Sequence, residues 1–323
     1  MAAKVKIRWQ ADPQLSGLQA AYIVATGAAC ADHKTEVALL QPITEINSRL
    51  VSASLDIGKF WQQLLAEYVF DSSQSKACEI ALTIAGCSEL QLEQTARVVE
   101  NRLSECRIAF QKRFPKLEQQ LDLRGRPIRD QWETFGPGLL SQIAKMIWIE
   151  SPPADWWPAR VDGLLVQPMR GGDGGFDGEA SKFWIEALLT DADPAVPEVL
   201  RVAWLLTQLA VQTHTRERSS EIAESLPWEI ASVPLVLRAG RELEIIKTDT
   251  LPIATAMQLW NLGSDREVKI VQQWWRERQS SSAAMPVDLK RLQGMLQPAR
   301  TQDAAAENEP DAGIDLSQFD SGF

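Results

Sequence analysis

Three stretches decide the fold reading: Arg160–Met169 (RVDGLLVQPM), then Gly171–Thr190 (GGDGGFDGEASKFWIEALLT), then Glu198–Val211 (EVLRVAWLLTQLAV). Two apolar runs, 160–169 and 182–190, flank a glycine-rich loop, a pattern that predicts a β-hairpin over 160–190. Pro194 and Pro197 introduce the third stretch, in which Val199, Leu200, Val202, Ala203, Trp204, Leu205, Leu206, Leu209 and Ala210 cover most of a helical circumference. A helix that is apolar nearly all round is expected to be buried on most sides. The centre of the chain therefore reads as a hairpin or small sheet packed by a buried helix at 198–211.

Working outward, the N-terminal side is mainly helical. A short strand is expected at Val5–Gln10 and helices from about Leu15 and over Ile57–Phe70. After Ser88, the residues Leu92, Ala96, Val99, Leu103, Cys106 and Phe110 recur at spacings of four and three, one apolar stripe on a helix that ends near Pro115. Ser88 with Gln91 matches a capping box. Pro127 suits the first turn of a helix. Gly136-Pro137-Gly138 is expected to break that helix before a further segment, Leu139–Ile149. The three prolines of Ser151–Pro158 (SPPADWWP) exclude regular pairing. On the C-terminal side, helices are expected over Glu221–Ala239, Leu251–Leu262 and Val268–Arg278, with a strand at Arg241–Thr248. A weakly amphipathic segment, Val287–Leu296, precedes a polar tail.

The 323 residues carry 43 acidic and 33 basic side chains, a net charge of −10. Six of the acids follow Arg300 without a single Lys or Arg, so residues 1–300 hold only −4. A near-balanced body offers no basic surface for nucleic acid, whose binding requires Lys and Arg to neutralise phosphates. The four cysteines, Cys30, Cys78, Cys87 and Cys106, show no paired spacing, and reduced thiols in a cytoplasmic setting are expected. Lys4, Lys6 and Arg8 ahead of an apolar stretch superficially suggest a leader, but Asp12 and Pro13 interrupt it. No stretch approaches the roughly 20 apolar residues of a membrane span.

Reactive constellations are sparse. The two histidines, His33 and His214, have no spaced partners, and Cys30 with His33 falls short of the four ligands of a closed zinc site. No metal and no cofactor is expected. Cys87, at a helix N-terminus, is the one thiol whose pKa a helix dipole could lower. Gly171–Gly178 lacks the Lys-Ser/Thr end of a phosphate loop, and Asp173, Asp177 and Glu179 do not have EF-hand spacing. That loop reads as a mobile hairpin tip. Arg124, Arg126 and Arg129 beside Trp132 form a small basic-aromatic cluster that could hold a phosphate or pair with Asp122, Asp130 and Glu133. Twelve Trp stand against two Tyr. Trp156 and Trp157, in the proline-rich loop, are candidate anchors for a partner or closures of a neighbouring apolar pocket. Glu198, Arg201, Gln208 and Gln212 are the polar positions of the apolar helix, which implies a hydrogen-bond network or a cleft.

The succession of strand, glycine-rich loop, strand and buried helix from Val161 to Val211 resembles the core of zincin-type metallopeptidases. In that family the helix bears H-E-x-x-H, two zinc-binding histidines and a general base. Here the corresponding residues are Pro197-Glu198-Val199-Leu200-Arg201; only Glu198 matches, so the resemblance implies a degenerate core and no zinc. The stretches LRGRP, QWE, GPGLL and PEVLRVAWLLTQL are similar to stretches of uncharacterised bacterial proteins and imply no function.

The expected protein is α+β and predominantly helical. Its regions are a mainly helical 1–122, an α+β domain at 123–278, and a linker with a disordered acidic tail at 279–323. Its expected role is that of a non-catalytic interaction or regulatory protein, binding another protein through the tail, with Phe319 and Phe323 as apolar anchors, or through the Trp156/Trp157 loop. The competing expectation is a hydrolase using a cleft lined by Glu198 and Arg201, or using Cys87.

Overall fold

The computed structural model describes residues 5–71, 73–217, 226–281 and 283–307, without the side chains of 216–217 and 299–307. Its sheet has four strands, β1 (Lys6–Ala11), β2 (Arg160–Val166), β3 (Gly174–Asp177) and β4 (Lys182–Glu186), in the order β1-β2-β4-β3. The central strand β2 runs parallel to β1, with Ile7 opposite Val161, and parallel to β4, with Leu164 opposite Trp184. Strands covered on both faces read as continuous apolar runs, which accounts for the Leu164-Leu165-Val166 segment.

The small sheet and the buried helix stand as expected, but the two long apolar runs are not hairpin partners. Parallel neighbours require a crossover connection, and residues 167–181 supply it. The antiparallel pair is β3 with β4, Phe176 opposite Phe183. Part of the glycine-rich loop is thus strand rather than a free tip. A Cβ on Gly175 would sit 2.6 Å from Trp184 Nε1, so only glycine lets that indole lie across β3.

The first helical layer comprises α1 (Pro13–Ala25), α2 (His33–Ser52), α3 (Ile57–Asp71), α4 (Gln74–Ile84) and α5 (Glu89–Arg113). Asp12 caps α1 by accepting the backbone N–H groups of Gln14 and Leu15. The α5 stripe Ala96, Val99, Leu103, Cys106 and Phe110 is buried, and α5 lies against α1, α2 and α4. Ser88 is its N-cap residue, yet its side chain makes no capping bond. The capping box forms instead at Ser264 and Glu267.

Helices α6 (Leu117–Arg124) and α7 (Arg126–Ile147) follow, and α7 continues through Gly136-Pro137-Gly138 without a break. Pro137 removes one backbone donor, while the flanking glycines serve packing. A Cβ on Gly136 would meet Trp132 at 2.6 Å, and one on Gly138 would meet Leu243 at 3.0 Å. Trp148 ends the helix, and residues 151–158 are irregular, as their prolines require.

Helix α8 (Glu198–Glu217) packs against α7, β3, β4 and α9 (Trp228–Glu242). Pro227 stands at the N-cap of α9 and Pro234 lies inside it; residues 221–225 of the expected helix lie outside the described residues. Arg241–Thr248 is the end of α9 and a turn, with Glu244 at φ 59°, rather than a strand. Next come α10 (Ile253–Leu259), α11 (Asp265–Arg278) and α12 (Met285–Glu307). Met285, Leu289, Leu292 and Leu296 of α12 are buried, so this part of the expected linker belongs to the body. Arg278 pairs with Asp288, whose backbone carbonyl accepts the Trp274 indole N–H at 3.0 Å. Residues 308–323, with Phe319 and Phe323, lie outside the described residues. No helix among the described residues is long and apolar enough to cross a membrane.

Candidate functional site

The polar residues of α8 do not line an open cleft. Gln208 donates to Ser232 Oγ at 2.6 Å, and Gln212 accepts the Gly178 N–H at 2.8 Å. Arg201, 1% exposed, donates to the Gly174 carbonyl at 2.7 Å and lies 4.5 Å from the Trp204 ring centre and 5.4 Å from that of Trp260. Burial pulls its pKa down to about 10. Glu198 is 6% exposed, and burial pushes its carboxyl up to about 7 against partial compensation from the Ala192 N–H and the Arg201 charge. The two form no direct ion pair; Glu198 Oε2 and Arg201 Nε are buried without a hydrogen-bond partner.

Beside them lies a group the sequence reading passed over. Glu186, fully buried at the end of β4, receives the backbone N–H groups of Met169 and Arg170 on Oε1, at 2.6 and 2.8 Å. Its Oε2 receives those of Gly171, Gly172 and Asp173, at 2.6, 2.9 and 3.3 Å. Gln19 adds a sixth donor at 3.3 Å. Gly171 and Gly172 reach this arrangement at φ 87° and 112°, a region that favours glycine. Successive N–H groups of this kind make an anion-binding nest, and here the anion is the chain's own carboxylate. The signal was a glycine-rich loop next to a strand whose apolar run contains one Glu.

The other candidates are dispersed. Cys87 is buried, and its thiol faces the Ser88 carbonyl at 3.7 Å. His33 pairs with Glu36 on the surface. Asp173 and Asp177 are turned to backbone N–H groups of Gly174 and Ala180. Among the described residues no group of three His, Cys, Asp or Glu side chains could hold a metal. Arg124 donates to Gln167 at 2.7 Å and Arg129 pairs with Asp122 at 2.8 Å, while Arg126 is exposed. This cluster ties α6 and α7 together and to the end of β2.

Trp156 and Trp157 lead to a concave feature. Trp156 is 4% exposed and does not project into solvent, because its ring stacks on His214 at 5.0 Å and meets Trp148 edge-on at 5.3 Å. Trp157 is half-buried against Trp156. His214 Nε2 lies 3.2 Å from the Asp155 carbonyl; a carbonyl only accepts, so Nε2 carries the proton. Trp148, Trp156 and His214, with Glu150, Trp228 and Met285, wall a cavity of about 760 Å³ between the end of α7, α8 and the start of α12; Trp157 lies outside it. The indole N–H groups of Trp148 and Trp156 are buried in this wall without a partner. A mostly apolar concavity of this size with a few polar groups is the usual form of a small-molecule site. Comparison with protein-family models, with curated proteins and with solved structures gives no match for this chain.

Proposed function

We propose that the chain is a non-catalytic interaction and regulatory protein whose recognition site is the cavity walled by Trp148, Trp156, Trp228 and His214. The observation that carries this reading is the aromatic cavity itself, about 760 Å³, standing where the irregular 151–158 segment meets α8 and α12. Aromatic side chains bring large contact area at low conformational cost. Of the ionic groups that would serve a hydrolase, Glu198 and Arg201 are both sealed from solvent, and Arg201 is engaged in holding β3. Binding of the neutral apolar fluorophore N-phenyl-1-naphthylamine tests the reading. Saturable enhancement with one site per chain, lost in Ala284→Trp, which places an indole in the cavity, is expected. Unchanged binding in Ala284→Trp, or none in the wild type, overturns it.

A second reading, a hydrolase on a degenerate zincin-like core, has one observation in its favour: the Glu198 carboxyl, raised to about 7, lies in the range of a general base. Turnover of a generic ester or peptide substrate that Glu198→Gln abolishes would establish it over the first.

A further inference from the structure

We infer that the free edge of β1 is a docking strand for an extended peptide of a partner protein in which apolar residues alternate with acidic ones. The sheet has two edges, β1 and β3. Along β3, α8 supplies Arg201 to the Gly174 carbonyl at 2.7 Å and Gln212 to the Gly178 N–H at 2.8 Å, so a helix covers that edge. The β1 edge is different. Lys6 donates its backbone N–H to Ala159 and Asp12 donates to Leu165, both on the β2 side. Backbone groups alternate in direction along a strand with a period of two. Lys6, Arg8, Gln10 and Asp12 therefore turn toward β2, while Ile7, Trp9 and Ala11 point their N–H and C=O groups away from it. None of these outward groups has a partner among the described residues. A row of unpaired N–H and C=O groups is the template onto which a further strand adds.

The side chains decide which strand fits. Ile7, Trp9 and Ala11 share one face and are half-buried, with Trp9 meeting Phe183 edge-on at 5.5 Å. Lys6, Arg8 and Gln10 share the other face and are exposed. A residue opposite Trp9 thus extends an apolar face, and residues opposite Lys6 and Arg8 meet cations. On β2 the same face adds Arg160, opposite Lys6, and Asp162, which is paired with Arg8. Lys6, Arg8 and Arg160 stand there against the single carboxylate of Asp162. Opposite charges on neighbouring strands attract and like charges repel. A second copy of β1 would bring the same cations to the seam, and its one acid, Asp12, is engaged in capping α1. Cations on an edge strand deter indiscriminate pairing; a strand with Asp or Glu at alternate positions neutralises them.

No residue of β1 lines the cavity, so the two readings stand or fall separately. Hydrogen exchange of the full nitrogen-15-labelled chain, read amide by amide at low ionic strength, tests the inference. The probes are the acidic peptide Ac-GVDVDVDG-NH2 and the basic peptide Ac-GVKVKVKG-NH2. In the free chain the amides of Ile7, Trp9 and Ala11 are expected to exchange fast and those of Arg8 and Gln10 slowly. Saturation with the acidic peptide is expected to slow Ile7, Trp9 and Ala11 about tenfold, the scale of one hydrogen bond each, and the basic peptide to leave them unchanged. Lys6→Glu, at an exposed position, is expected to weaken the acidic peptide about fivefold. Ala11→Pro removes one outward N–H where an edge strand tolerates proline, and is expected to weaken it about tenfold. Absence of protection by the acidic peptide, equal protection by both peptides, or indifference to both variants overturns the inference. Slow exchange of Ile7, Trp9 and Ala11 in the free chain also overturns it. Protection that grows with chain concentration would assign the edge to a second copy, and protection independent of concentration to another part of the same chain.

Discussion

The Glu186 carboxylate accepts the Gly172 backbone N–H at 2.9 Å, and four neighbouring amides converge on the same two oxygens. The loop after β2 is therefore folded around an internal anion. Glu186→Gln keeps the shape but turns an NH₂ group toward donors, leaving them unsatisfied. A loss of about 3 kcal/mol in urea unfolding is expected, with faster hydrogen exchange at residues 171–173. Unchanged exchange there would show that the carboxylate does not organise the loop.

Glu198 makes stability depend on pH. Its carboxyl ordinarily titrates at 4.5 and is pushed up to about 7 in the fold by burial. Below pH 4.5 the folded and unfolded chains both hold the proton, so the group contributes no difference. Between the two values the unfolded chain releases a proton that the folded chain keeps, so stability falls as pH rises through 7, by about 3 kcal/mol in total. Glu198→Gln, neutral at every pH, is expected to flatten this part of the stability profile and to be the more stable protein at pH 8. A wild-type profile as flat as that of the variant would refute the assignment.

In an exposed helix, Gly→Ala gains about 1 kcal/mol of propensity. Gly136→Ala is expected to do the reverse, because its Cβ would meet three atoms of the buried Trp132 ring within 3 Å. Overpacking of this kind costs about 1–3 kcal/mol. Thermal melts should show a lowered Tm together with altered near-ultraviolet dichroism from the displaced indole.

Leu292 is fully buried in α12. Leu292→Ala is expected to cost about 2–5 kcal/mol, as for other core leucines, whereas Val287→Ala, at an exposed position of the same helix, is expected to be near neutral. Equal, small effects would detach this helix from the body.

The thiols divide by burial. The pKa values of Cys78 and Cys106 are pushed up to about 12 by desolvation, and both are buried, whereas Cys30 is half-buried. Ellman's reagent at pH 8 is expected to modify Cys30 promptly and the buried Cys78, Cys87 and Cys106 only after unfolding. Prompt release of more thiol in a Cys30→Ser variant would contradict the packing.

The helices were largely legible because their signals are local. The stripe on α5, the interruption at SPPADWWP and the all-round apolarity of α8 need no knowledge of the partner surface. What failed was decided by contacts between distant segments. The hairpin reading missed that β3 takes the antiparallel place beside β4, which leaves β2 parallel to β4 and paired on its other side with β1, about 150 residues upstream. Gly136-Pro137-Gly138 reads as a break until the Trp132 ring is seen lying over it. The polarity of Glu186 within an apolar run hinted at a buried network, but its donors are backbone groups, which carry no side-chain signature. Of the proposed site, Trp156 was visible as a rigid aromatic in a loop; Trp148 and Glu150 at the end of α7 and Trp228 at the start of α9 are brought to it only by the fold.

Among the described residues strand β1 has its only neighbour in β2, so every helix from α1 to α7 hangs in one excursion between two adjoining rungs of a ladder. A ribosome must release nearly 190 residues before that ladder can be complete, and the helices have to organise while their sheet is still missing its centre. Closing such a distant pairing is slow. Strand β1 acts as a clasp on that ladder, and a chain without it would carry β2 with one side open to chance strand pairing.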